Sequence, residues 1–139
     1  MSRPITLLLA LPALMFAVAG QAGEALKKEL ARLEGTWDLV PPEGTKEAMQ
    51  LKFAAGKLTV IFVGMGSLEA DIKVYPETNP RCIDLDFKKG RQETYEGIYA
   101  IEGDTLRLAL GQANLKDRPT KFPEDADPSK YAVFKRQKP

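Results

Sequence analysis

The chain contains no histidine and a single cysteine, Cys82. The first absence excludes a Ser-His-Asp triad, a Cys-His dyad and histidine-ligated zinc. The second excludes an internal disulfide, a CxxC redox pair and a cysteine cluster. Charge of one sign is also lacking: 20 Lys and Arg face 19 Asp and Glu, so no strong field draws the chain to nucleic acid. There is one Trp, Trp37. With 139 residues there is chain for one core and one domain. An apolar fraction of 44% with 28% charged residues is globular composition, outside the disordered range.

Residues 1–22 read as an address. Arg3 is the only charge there, followed by the apolar run from Ile5 to Ala19, which Pro12 interrupts. Small-residue motifs at Ala17-Val18-Ala19 and Gly20-Gln21-Ala22 close the segment. This is the pattern of a secretory signal peptide, cleaved to leave Gly20 or Gly23 at the start. The run is shorter than the ~20 residues a spanning helix needs, so no membrane span is expected after cleavage. Without Arg3 the remaining chain balances 19 basic against 19 acidic residues. The expected location is extracytoplasmic, periplasmic or secreted, with residues 23–139 forming the folded domain.

Glu24 to Leu33 has helical spacing, with Leu26, Leu30 and Leu33 on one face. Gly35 stops the helix, and the period then changes from 3.6 to 2. Alternating stretches follow at 35–39, 49–53, 57–63, 68–74, 83–87, 93–101, 105–110 and 131–136. Ala54-Ala55-Gly56, Gly64-Met65-Gly66, Lys89-Gly90-Arg91 and Glu102-Gly103-Asp104 supply the turns. Gln112–Lys130 has no period and forms the one long loop. Eight short strands joined mainly by turns predict an all-β fold: an eight-stranded antiparallel barrel whose short helix closes one end. The inward set is bulky, with only Ala70 and Gly97 small, so the barrel is expected to be mostly filled, with a shallow mouth.

Four segments in order resemble a known family. They are Leu33-Glu34-Gly35-Thr36-Trp37, then Asn79-Pro80-Arg81-Cys82-Ile83-Asp84-Leu85, then Gly97 to Leu108, then Arg118-Pro119-Thr120-Lys121-Phe122. Together they are similar to the planctomycete lipocalin-like domain of uncharacterised function, over about 33–136. The resemblance implies a lipocalin-like barrel on an exported protein and assigns no activity. In that pattern the Trp of Gly-x-Trp plugs the closed end and a basic residue of the last strand covers it. Arg136 is the positional candidate and Lys135 the alternative.

Several residues are candidates for chemistry. Tyr95, Gly97, Tyr99 and Ile101 share one parity, so tyrosines facing the lumen would hydrogen-bond a ligand and Gly97 would leave it room. They would equally serve as packed core. Arg118, in the long loop, would bind an anion or pair with a carboxylate of the barrel wall. Phe122 is expected to anchor that loop. Asp84 and Asp86 form the nearest thing to a carboxylate pair, but their parity opposes Ile83, Leu85 and Phe87. Both are therefore expected on the solvent face, and replacing either by Asn is expected to change stability by less than ~0.5 kcal/mol. Cys82 has no histidine to activate it. No catalytic residue, metal or cofactor is expected. The functional expectation is a non-enzymatic exported module for a small apolar or amphipathic molecule. The alternative is a structural or protein-interaction module acting through the outer wall or the 112–130 loop, with its protein partner left unidentified.

Overall fold

The structure is a computed structural model and describes residues 23–41, 48–87, 92–123 and 130–138. The expected signal segment, its cleavage site and the turn at 89–91 lie outside the described residues.

Eight strands run in chain order: β1 (Gly35–Leu39), β2 (Met49–Ala54), β3 (Lys57–Phe62), β4 (Gly66–Tyr75), β5 (Arg81–Phe87), β6 (Glu93–Glu102), β7 (Thr105–Leu110) and β8 (Tyr131–Arg136). Each pairs antiparallel with its sequence neighbour, and β1 pairs with β8, so the sheet closes as an up-and-down barrel. Closure leaves no unpaired edge. Period-2 patterning causes this architecture: one apolar side chain in two must face inward, and only a sheet wrapped on itself hides every such face. The buried pattern of β5, where Ile83, Leu85 and Phe87 alternate with half-exposed Cys82, Asp84 and Asp86, shows the rule most clearly.

The turns follow local chemistry. Ala54 pairs with Lys57 across the two-residue loop Ala55-Gly56, and both central residues have positive φ, 52° and 75°. That is the signature of a hairpin loop whose twist matches the strands. Gly103 turns β6 into β7 with φ 60°. The Asn79–Pro80 peptide bond is cis.

Helix α1 (23–33) lies across one end. Only its last turns pack: Leu33 is fully buried and Leu30 half-buried, whereas Leu26 is exposed. The expected leucine face is therefore corrected at its first member. Glu29 takes part of that contact instead and is buried. Leu33, Trp37, Tyr99 and Phe134 belong to the same buried cluster as the strand residues. That cluster contains the bulky inward set the alternation picks out.

Candidate functional site

The two ends of the barrel differ. At the helix end the lumen is plugged. Trp37 has no solvent exposure, and its Nε1 donates to the Leu33 carbonyl at 2.8 Å. Arg136 lies over the indole, its Cζ 4.1 Å from the ring centroid. Its Nη1 and Nη2 donate to the Glu34 and Arg32 carbonyls at 3.0 and 2.8 Å. Gly35 leads the chain into β1 beside the stack. Its φ is 123°, a conformation strained for residues with side chains, and Arg136 Nη1 lies 3.4 Å from where a Cβ would stand.

Beside the plug sits a group the sequence pattern did not single out. The Glu29 carboxylate lies 3.4 Å from Arg32 Nη1 and 3.7 Å from Arg81 Nε. Tyr99, 1% exposed, approaches it. The Tyr99 hydroxyl has no hydrogen-bond partner among the described residues, yet it is close enough to feel the Glu29 charge. Burial first, and the Glu29 carboxylate second, push its pKa well above the ordinary value.

At the opposite end the lumen opens into a cavity of about 180 Å³. Its walls are the inward faces of β2 to β8, among them Leu51, Leu58, Val60, Leu85, Leu108 and Phe134. Among the described residues, polar groups enter only through Glu93, Tyr95, Lys130 and Tyr131, all at the strand ends that form this mouth. Tyr95 Oη donates to Glu93 Oε2 at 2.6 Å, and its ring meets Phe87 edge-on at 5.8 Å. An apolar hollow with a few polar groups at its rim is the general form of a small-molecule site.

The sequence-derived candidates therefore fall in three places. Tyr95 lines the open cavity. Tyr99 shares its parity but stands four residues further along β6, at the plugged end. Gly97 and Arg118 meet on the outer wall. Arg118 Nη1 donates to the Gly97 carbonyl at 2.7 Å and the Ile83 carbonyl at 3.1 Å, while Nη2 reaches Asp84 Oδ1 at 2.5 Å and Glu96 Oε1 at 3.2 Å. Of the two roles open to it, Arg118 takes the pairing role. Gly97 does not hold space open for a ligand: a Cβ there would stand 2.5 Å from the Ala109 carbonyl oxygen and 2.6 Å from Leu110 Cδ2. Its missing side chain serves strand packing.

Asp84 also departs from the expected solvated face. It accepts from Arg118 and from Tyr75 Oη at 2.8 Å, so it is a partly covered ion-pair partner. The same hydrogen bond is the main cause of the raised Tyr75 pKa, with burial next. The long loop puts Arg118 there. Gly111 N donates to Glu96 O at 2.9 Å and Asn114 N to Thr94 O at 2.8 Å, which lays the loop along β6. Phe122 fixes its far end, 6.1 Å from the Tyr131 ring, with the Arg107 guanidinium stacked on it at 4.4 Å. Cys82 is half-buried, with its Sγ 3.8 Å from the Pro80 carbonyl oxygen. No group of three or more potential metal ligands occurs among the described residues. No described helix is long and apolar enough to cross a membrane.

No protein-family model, curated protein or solved structure matches the chain.

Proposed function

We propose that the protein is an exported, non-enzymatic, lipocalin-like module that takes a small apolar or amphipathic molecule into the open end of its barrel. The observation that carries this reading is the 180 Å³ hollow at the mouth, whose described lining is apolar in its depth and polar at its rim. An engineered apolar cavity of about 150 Å³ accepts benzene, so this lumen has room for one ring or a short alkyl tail. Typical ligand pockets are larger, about 300–1,000 Å³. The buried part of the ligand is therefore small, and the rest of it stands at the mouth.

The non-enzymatic reading is supported by where the charged groups lie. Asp84 and Glu96 face Arg118 on the outer wall, and Glu29 faces Arg32 and Arg81 at the plugged end. These carboxylates are tied to arginines away from the cavity, and Glu93, the carboxylate among the described residues that lines it, accepts the Tyr95 hydroxyl. The export reading rests on residues 1–22, and the family reading on the four resembling segments. Leu115, exposed on the long loop, is the observation that favours the alternative of a protein-contact surface.

The test is to isolate the protein from its native compartment and identify co-purifying small molecules by mass spectrometry. The reading expects about one small apolar or amphipathic molecule per chain. Protein that arrives empty and takes up none of a panel of such compounds would overturn it.

A further inference from the structure

The mouth has a second hollow beside it. A space of about 360 Å³ lies under the 111–123 loop, against Ala109 and Gly111, with Thr120 and Lys121 on its far side. Leu110 and Lys130 line both this space and the lumen cavity. They are bonded to each other through the backbone, Leu110 N to Lys130 O at 2.8 Å, so a single rim position separates the two hollows.

The two spaces differ in chemistry. The lumen is apolar. The outer hollow is lined in part by two exposed lysines, Lys121 and Lys130, neither of which has an ion pair among the described residues. Its one carboxylate among the described residues, Asp117, accepts a hydrogen bond from the Gln112 amide at 3.3 Å. The neighbouring arginines are engaged elsewhere, Arg118 with Asp84 and Arg107 on Phe122. On the other flank of β7 the lumen mouth presents Glu93, which would repel an anionic head and so directs it to the lysine side.

We propose, building on the lumen-binding reading above, that the ligand is an anionic amphiphile. Its short apolar tail occupies the lumen, and its carboxylate or phosphate head crosses the Leu110–Lys130 rim to sit between Lys121 and Lys130 under the loop. A tail alone gains only the apolar contact. The head adds attraction to two exposed lysines, a gain that salt screens.

Calorimetric titration of the purified protein with octanoate, octyl phosphate, octanol and octylammonium tests this. Both anions are expected to bind at least roughly fivefold tighter than octanol, and octylammonium the weakest. The carboxylate and phosphate arms show which head the site prefers. Lys121→Gln should shrink the anion preference and leave octanol binding unchanged, Lys130→Gln should shrink the ratio of anion to octanol affinity, and added salt should shrink it as well. Octanol binding as tightly as both anions, or an anion preference that survives both substitutions, would overturn the anionic head while leaving the lumen site standing. If none of the four binds, octanol included, the lumen reading falls as well.

Discussion

Arg136 stacks on Trp37 and, with the same side chain, holds the end of the helix that covers it. The guanidinium carbon is 4.1 Å from the indole centroid, and its nitrogens bond the Arg32 and Glu34 carbonyls. Trp37 Nε1 takes the carbonyl between them, that of Leu33. Helix C-termini leave carbonyls without intrahelical partners, and cations there are favourable. This pair satisfies three in succession and welds the first strand, the last strand and the helix into one plug.

Trp37 and Arg136 should therefore couple. Trp37→Ala should cost about 3–5 kcal/mol through lost core volume. Arg136→Ala should cost about 1–2 kcal/mol, and Arg136→Lys should recover little, because a lysine keeps the charge but loses the planar fork. In urea unfolding of Trp37→Phe, Arg136→Ala and the double variant, the coupling energy should exceed about 0.5 kcal/mol. Strict additivity would show that the stack does not contribute.

Asp84 and Asp86 share a strand face and differ in environment. Asp84→Asn removes the charge that Arg118 and Tyr75 share, and should cost roughly 1–2 kcal/mol. Asp86→Asn should stay within about 0.5 kcal/mol. Chemical denaturation of the two variants side by side reads the difference. Equal, near-zero effects would return Asp84 to the solvated class.

Parity along the strands makes the barrel legible in the sequence. The resemblance, in whose pattern a basic residue of the last strand covers the Trp, matches Arg136 to Trp37, and the β1–β8 register sets the two opposite each other. What parity cannot show is position along the strand. Tyr95 and Tyr99 point the same way, yet four residues put them roughly 13 Å apart, one at the mouth and one at the plug. Asp84 and Asp86 are likewise indistinguishable until the aperiodic loop delivers Arg118 to one of them. Glu29 had no signal at all. Among Lys27, Lys28 and Arg32 it reads as another solvated helix residue, and only the helix lying against Arg81 buries it.

Tyr99→Phe should be harmless at neutral pH, or slightly stabilising, because the hydroxyl it removes is buried without a hydrogen bond. Its alkaline behaviour should differ from wild type. The folded pKa of Tyr99 is raised by burial and then by Glu29, whereas the unfolded residue ionises near ~10. The raised pKa thus contributes stability that is fully present below about pH 10 and is lost as pH rises from there toward the folded value. Thermal melts across that range should show a shallower decline for Tyr99→Phe than for wild type. Parallel declines would mean that Tyr99 ionises as freely in the folded state as in the unfolded.

Ala55 occupies a left-handed position, φ 52°, in the two-residue turn between β2 and β3. An alanine there costs about 1 kcal/mol in backbone strain, which glycine avoids, offset in part by glycine's greater unfolded-state entropy. Ala55→Gly should raise stability by about 0.5 kcal/mol, and Ala55→Val should lower it. Melting temperatures in one buffer order the three proteins, and the reverse order would contradict the turn geometry.

If a ligand enters the open end of the lumen as proposed, filling that end abolishes binding. Ala132 lines the cavity from β8 and is only half-buried, so Ala132→Phe adds a ring to the hollow without removing core volume. Titrate an environment-sensitive apolar fluorophore into wild type and Ala132→Phe, after circular dichroism has shown that both are folded. Saturable binding at about one site per wild-type chain, lost in the filled variant, is the expected result. Equal binding by both proteins, or no saturable binding by wild type, would contradict it.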